Sequence, residues 1–439
     1  MSAVAPKISA LERYRAAFEA RWPQSDPLTR LRRAALEEFI EQGFPTQRQE
    51  AWKYTNLRRL ESRSFEPSTA PAAIDAAQEG WIAHGGARIV FVDGRWSAAL
   101  SSSSVQPPGV TMLPLGQWFR RDPEQAAAFV ESLAPKRSTA FERLNMAFFE
   151  DGAVIQLAEG ARTDEPIYIV HHWSAQAAGR MAHPRLLLRA ARGSRCTLIE
   201  QHLGPADLEY FTNAATIVEL EAGAELRHYR LQQESTRSFH IGLSSARLQA
   251  DSRYFLHDVA LGASLARHDV AAVLEGRGAH VELQGLFAPE GSQHMDVHTH
   301  IDHAAPCTTS AEDYRGVADG RGRGIFNGKI AVHPDAQKTD ARQSSRNLLL
   351  SPTAEIDARP ELEIYANDVK CSHGATIGQL DETALFYLRS RALSQEQARA
   401  LLIRAFAESV LTSIDHEPLR TYLEHRLEAR FSASGENPS

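Results

Sequence analysis

The sequence predicts a mainly β chain: a stacked solenoid at its centre, flanked by helical regions at both ends. Strand patterning dominates from about Val154 to Ile377, where helix breakers are frequent and few windows hold a helical stripe. A turn template recurs through that stretch at roughly 27–30 residues, the spacing of repeat architectures and not of hairpins. Helical periodicity returns only before and after it.

The template is visible in Ala191-Arg192-Gly193-Ser194-Arg195-Cys196, Glu221-Ala222-Gly223-Ala224-Glu225-Leu226, Gln249-Ala250-Asp251-Ser252-Arg253-Tyr254 and Gly276-Arg277-Gly278-Ala279-His280-Val281. An apolar strand precedes each unit and a new strand follows it. Inside the strands the period is two: Val281, Leu283, Gly285 and Phe287 alternate with His280, Glu282 and Gln284. A single unit of this kind cannot bury its own apolar face, whereas stacked neighbours can. A right-handed parallel β-helix fits the pattern. An antiparallel sandwich with evenly spaced turns fits it too.

The N-terminal part, 1–150, reads as mainly helical. Leu28, Leu31, Ala35, Phe39 and Ile40 share a helical face, and Gly43-Phe44-Pro45 ends that helix. Ser64 to Ala77, rich in Pro, Ala and Ser, reads as a linker. Short apolar runs at Ala87–Val92 and Val110–Leu115 suggest strands, and Phe129–Phe149 is helical again. The solenoid occupies 151–378. In the C-terminal region, 379–431, Asp381 caps a short helix. Ser394 and Gln397 form a capping box, and Ala398, Leu401, Leu402, Ala405, Phe406 and Val410 give an apolar stripe expected to cover the end of the solenoid. Asp415 and Pro418 open a last helix. The polar tail 432–439 is expected to be disordered.

Composition narrows the function. A length of 439 residues with 43% hydrophobic and 23% charged residues can bury a large core. The formal net charge of -7 argues against nucleic-acid binding. Charges recur at Lys7, Glu12, Arg13, Arg15 and Glu19, so the first residues hold no apolar signal segment, and no run is long enough to cross a bilayer. Cys196, Cys307 and Cys371 are too few and too dispersed for a disulfide framework or a permanent cluster site, which points to a reducing cytoplasm.

Gly322 to Ile330 has the texture of a phosphate loop but fails it: Arg323 takes the first-glycine position and Ile330 follows Lys329 where Ser or Thr is needed. His294, His298, His300 and His303, with Asp296, Asp302 and Cys307, form the densest histidine group. They could hold a divalent metal, but a polar solenoid face explains them more simply. Cys371 and His373, two apart on a strand, share a face, and both groups ligate iron or carry sulfur when deprotonated. A buried structural cysteine beside a satisfied histidine accounts for the same spacing. No Gly-x-Ser-x-Gly elbow supports a hydrolase. The rival class is a carbohydrate-active parallel β-helix enzyme, which would explain neither the helical ends nor the missing secretion signal.

Ordered motifs decide between these. Ile325-Phe326-Asn327-Gly328-Lys329-Ile330, Asp335-Ala336-Gln337-Lys338-Thr339-Asp340-Ala341, Asn347-Leu348-Leu349-Leu350-Ser351, Leu362-Glu363-Ile364-Tyr365 and Lys370-Cys371-Ser372-His373-Gly374 resemble the SufB/SufD family of iron–sulfur cluster assembly subunits. So does Gln47 to Leu57. The segment Asp340–Asn347 lacks the sulfur-accepting cysteine of the SufB branch, which favours the SufD branch. The resemblance implies a right-handed parallel β-helix and a non-enzymatic subunit. It also implies pairing with SufB through the β-helices and docking of SufC, an ATPase of the ABC type, on the C-terminal helices. Tyr387, Arg391, Arg399 and Arg404 are the candidate contacts there. His373 carries over as an interface residue and candidate transient iron or cluster ligand. Cys371 stands beside it with a less defined role. No permanent cofactor is implied, only a transient iron–sulfur cluster at the SufB interface. A homodimer of the isolated subunit is a further expectation.

Overall fold

The computed structural model describes residues 9–433 except 24–25, 69–73, 75–79, 83–84, 103–105 and 136. Nine helices appear among these residues. Six precede the solenoid: α1 (Ala10–Arg21), α2 (Pro27–Gln42), α3 (Arg58–Glu61), α4 (Leu115–Arg121), α5 (Pro123–Ser132) and α6 (Ala140–Phe148). Three follow it: α7 (Glu382–Ser390), α8 (Gln395–Thr412) and α9 (Glu417–Ala433). Their ends follow the local signals. Asp26 caps α2 and Gly43 ends it at φ 69°, Asp381 caps α7, and the Ser394–Gln397 capping box opens α8.

The first strands are β1 (Glu66–Pro67), β2 (Arg88–Val92), β3 (Arg95–Trp96) and β4 (Val110–Pro114). The solenoid begins with β5 (Gly152–Leu157), β6 (Ile167–His172), β7 (Arg180–Ala182), β8 (Arg185–Ala190) and β9 (Arg195–Leu203). It continues through β10 (Phe211–Leu220), β11 (Glu225–Gln233), β12 (Phe239–Leu248), β13 (Arg253–Ala260), β14 (Leu265–Leu274) and β15 (His280–Phe287). It ends with β16 (His294–His303), β17 (Thr309–Ala318), β18 (Arg323–Val332), β19 (Asp340–Leu349), β20 (Glu355–Ile364) and β21 (Lys370–Gln379).

Alternate strands go to opposite sheets. One runs β20-β18-β16-β14-β12-β10-β8-β5, the other β21-β19-β17-β15-β13-β11-β9-β6, and every one of these pairings is parallel. The chain is therefore a parallel β-solenoid of about eight turns. Register holds from coil to coil: Phe211 lies beside Phe239, then Leu265, His294, Arg323 and Glu355. The turn template has a backbone cause. Gly193, Gly223, Asp251 and Gly278 take left-handed φ values of 65°, 69°, 56° and 75°, and Cys307 and Lys338 continue the column at 59° and 63°.

Three buried layers result. The solenoid interior is lined by residues such as Leu188, Leu220, Leu248, Leu226 and Leu283. The outer face of the first sheet, with Phe211, Phe239 and Leu265, packs against Phe39, Phe141 and Phe148 of the N-terminal helices. The outer face of the second, with Tyr229, Val259 and Val317, packs against Ile403, Val410 and Leu423 of α8 and α9. Both faces of most strands are thus covered, which is why they read as nearly continuous buried runs.

Several sequence expectations change. The strands expected at Ala87–Val92 and Val110–Leu115 are present as β2 and β4, and both join the solenoid's sheets instead of standing apart in the N-terminal region. The antiparallel β4–β5 pair and β2, which pairs with β6 and with the antiparallel β3, close the first coil. Phe129–Phe149 is two helices, with Thr139 capping the second. The C-terminal helices lie along the flank of the second sheet, not over the solenoid's end, because that flank offers the apolar face they need. On α8 the buried residues are Ala398, Ile403, Ala407, Val410 and Leu411, whereas Leu401 and Ala405 are exposed and Leu402 and Phe406 only half-buried. The run Leu401-Leu402-Ile403 is apolar all round, so the sheet beneath chooses the face. The Gly322–Ile330 stretch, loop-like in its glycines, lies almost wholly within the strand β18. Most of the Ser64–Ala77 linker lies outside the described residues. So does the tail beyond Ala433, while Ser432 and Ala433 end α9.

Candidate functional site

The predicted pair sits where the solenoid stops. Among the described residues, the strand β21 is the last of its sheet and pairs only with β19, so its other edge presents free backbone donors and acceptors. Cys371 lies in register with Ala341 and His373 with Gln343. Both project on the interior side: Cys371 packs half-buried against the solenoid core, and burial pushes its thiol pKa up. His373, two residues further along the open coil, is exposed. The strand is otherwise small and flat. A Cβ placed on Gly374 or Gly378 would meet nothing within 4 Å, which leaves room for another backbone to approach. Ile364, Tyr365 and Ile377 add exposed apolar surface to this end, at 41%, 65% and 48% exposure.

Behind His373 the column runs inward through Gln343 to Glu312, both buried, and the Gln343 amide donates to the Glu312 carboxylate. Burial pushes the Glu312 carboxyl up to about 7. Sequence reading missed Glu312. Its only signal is a charged residue at an inward rung, visible once the register is known.

The other candidates separate into two groups. Tyr387 and Arg391 meet on α7, with the guanidinium 5.1 Å from the ring centroid and donating to the phenol oxygen at 3.1 Å. Arg399 and Arg404 line a groove of about 670 Å³ between α8 and α9, together with Leu350, Leu427 and Phe431. Arg399 also donates to the Leu350 carbonyl at 3.3 Å. Phe386, absent from the predicted set, is the most exposed of the large apolar residues here at 74%.

The histidine group of β16 does not converge on one point. His298 lies 2.9 Å from Asp296, His300 lies 3.1 Å from Asp302, and His294 contacts Thr55 at 2.8 Å. His303 turns inward to Thr308 and Ser310. This is a polar outer face, and it partly holds the N-terminal segment in place. The Gly322–Ile330 stretch lacks the strand-to-helix turn that a phosphate loop requires. No helix among the described residues is long and apolar enough to cross a membrane.

The family model for the SUF system FeS cluster assembly SufBD core domain matches residues 172–406, and the SufBD protein N-terminal region matches residues 12–169. The chain belongs to the SufB/SufD family. Within it the chain is a SufD homologue, 29% identical to the iron–sulfur cluster assembly protein SufD of Escherichia coli over 98% of this chain and 99% of that one. It is also 32% identical to an iron–sulfur cluster assembly SufBD family protein of Synechocystis, covering 88% of this chain and 87% of that protein. The chloroplastic protein ABCI7 of Arabidopsis thaliana is 29% identical, covering 90% and 84%. Family membership does not favour the carbohydrate-active alternative.

Proposed function

We propose that this chain is a non-catalytic subunit of a Suf assembly complex: it pairs with SufB through its last coil, docks the ATPase SufC on its C-terminal helices, and offers His373 to a nascent cluster at the seam. The observation that carries the reading is the open edge of β21, which bears His373 on a flat, small-residue strand. An exposed strand edge is a template for pairing with another sheet. The cluster is cargo assembled at that seam and is not retained there. His373 would act as a transient ligand in its neutral form. Cys371, its thiol raised by burial, would serve second.

The route for ATP-driven motion is supported by how the helices attach. Two residues separate β21 from α7, so any pull on α7 reaches the coil end directly. Arg315 on β17 donates to the Phe406 carbonyl at 2.7 Å, and Arg430 on α9 donates to the Leu261 carbonyl at 2.7 Å, which ties the other two helices to the same sheet. The exposed Phe386, Tyr387 and Leu401 give SufC an apolar footing, with Arg391 and Arg404 at its rim. In the absence of SufB the same strand edge would pair with a second copy. Three free and dispersed cysteines agree with a cytoplasmic setting.

The test is co-purification from the native host. Tagged chain should bring down a SufB-like and a SufC-like protein, and the isolated chain should hydrolyse no ATP. Robust ATPase activity of the isolated chain, or failure to retain either partner, refutes the reading.

A further inference from the structure

Between the two sheets, far from the open end, the first coils enclose a dense polar network that the proposed function does not use. His171 on β6 lies in register with His202 on β9, and their rings stack at 4.6 Å. Glu200 shares the inward face of β9 with His202. Its Oε1 lies 3.0 Å from His202 Nε2 and 3.8 Å from His171 Nε2. The three ligand atoms fall within 4.8 Å of one another, and all three residues are buried. Donors around a tetrahedral zinc-type ion stand about 3.3 Å apart, from metal–ligand bonds of about 2.0–2.1 Å. The observed separations bracket that value.

The surroundings are those of a ligand set. Glu200 Oε2 is held from behind by Thr216 Oγ1 at 2.9 Å and His228 Nε2 at 3.1 Å, and His228 in turn contacts the Tyr254 hydroxyl at 3.0 Å. That leaves Oε1 aimed at the two rings. His171 Nδ1 and His202 Nδ1, the ring atoms turned away from Glu200, are buried with no hydrogen-bond partner among the described residues, while both Nε2 atoms face its Oε1.

Charge points the same way. His202 abuts His240, which contacts Glu234 and lies 2.5 Å from Arg230, and Arg230 donates to Asp258 at 2.8 Å. Glu200, Glu234 and Asp258 are all buried, against the single guanidinium of Arg230. Two negative charges are left to be balanced in a dry interior, where an uncompensated charge is costly. Two imidazolium protons would balance them. One divalent cation would do so as well, and would also engage the convergent lone pairs.

We propose that His171, Glu200 and His202 form an interior site for one divalent first-row transition ion, of the zinc or ferrous type, which acts as a structural counter-ion for the solenoid. Two imidazoles and one carboxylate suit such ions and not calcium or magnesium. The site is sealed, so the ion enters as the coils close and not by diffusion into the folded chain.

The test is metal analysis of the full chain carrying Cys371→Ser and His373→Ala, so that the coil-end pair contributes nothing. The protein is produced once with zinc and once with Co²⁺ as the probe, then washed with chelator while folded. The expected result is about one ion per chain, released only on unfolding, with a tetrahedral cobalt absorption spectrum. Occupancy should fall at least about tenfold in Glu200→Gln and in His202→Gln. A folded chain that takes up neither ion during expression or refolding overturns the proposal, since protons then balance the charge. Undiminished occupancy in both variants overturns it too. If the variants do not fold, the parent decides: a tetrahedral cobalt spectrum with a Tm raised by zinc supports the site, and no cobalt spectrum refutes it.

Discussion

Glu312 lies directly beneath Gln343 in the solenoid interior, its carboxylate accepting a hydrogen bond from the Gln343 amide one rung below the exposed His373. Among the interior carboxylates described above it is the exception. Glu200, Glu234 and Asp258 are held ionised by His and Arg neighbours that outweigh the cost of burial. Glu312 has only neutral partners, so burial prevails and its carboxyl rises to about 7.

That shift fixes the sign of a pH effect. The folded-state pKa lies above the unfolded value, so the folded chain holds the extra proton between about 4.5 and 7. Stability from this group is fully present at lower pH and declines as pH rises through that window, by ~3 kcal/mol in all. Glu312→Gln removes the ionisation. Chemical denaturation from pH 5 to 8 should show the variant gaining on the parent as pH rises. Parallel stability curves would contradict the assignment.

His373→Ala should leave the fold and SufB pairing unchanged, because the side chain is exposed and makes no core contact. In the reconstituted complex, cluster yield read from visible absorbance should fall at least about tenfold, as befits loss of a ligand. Cys371→Ser should cost less. Parental cluster yield in the His373→Ala complex would return the pair to a structural role.

The two faces of the C-terminal helices should respond differently. Ile403→Ala and Leu423→Ala remove buried side chains at 2% and 0% exposure and should each destabilise the chain by about 2–5 kcal/mol. Phe386→Ala should leave Tm unchanged yet weaken SufC binding measured by calorimetry, by about 1 kcal/mol or more if it is a contact anchor. Unchanged SufC affinity would move the docking surface elsewhere.

Arg185, on β8, donates to Glu142 and Asn145 of α6 at 3.0 and 2.8 Å, with both ion-pair partners buried. Arg185→Ala strands a buried carboxylate and should cost about 3–5 kcal/mol. Adding Glu142→Gln should recover part of that loss, since the stranded charge is gone. A double variant no more stable than Arg185→Ala would show that the cost comes from lost packing.

The solenoid was legible because its causes are local. Gly193, Gly223, Asp251 and Gly278 need a left-handed turn, and that need shows in the residue type. The caps Asp381 and Ser394 are legible for the same reason. That Cys371 and His373 share a face follows from the two-residue period of a strand, whereas their reading as a site came only from the resemblance to the SufB/SufD family. The buried face of α8 was not legible, because it depends on the distant strand flank that the helix meets. Nor was the His171–Glu200–His202 group: its members sit on two coils, and only the register of β6 against β9 brings them together. The open coil end was read as capped for a related reason, since an apolar stripe does not say which surface it will cover.

The unbroken register from Phe211 to Glu355 has an evolutionary consequence. Most of these strands are committed on both sides, so inserting one residue within a strand would turn every later side chain on it to the opposite layer. Gain or loss of a complete turn leaves each remaining side chain in its layer. Descendants of this chain can therefore change length freely in their turns, but the solenoid itself can grow or shrink only in whole-coil steps.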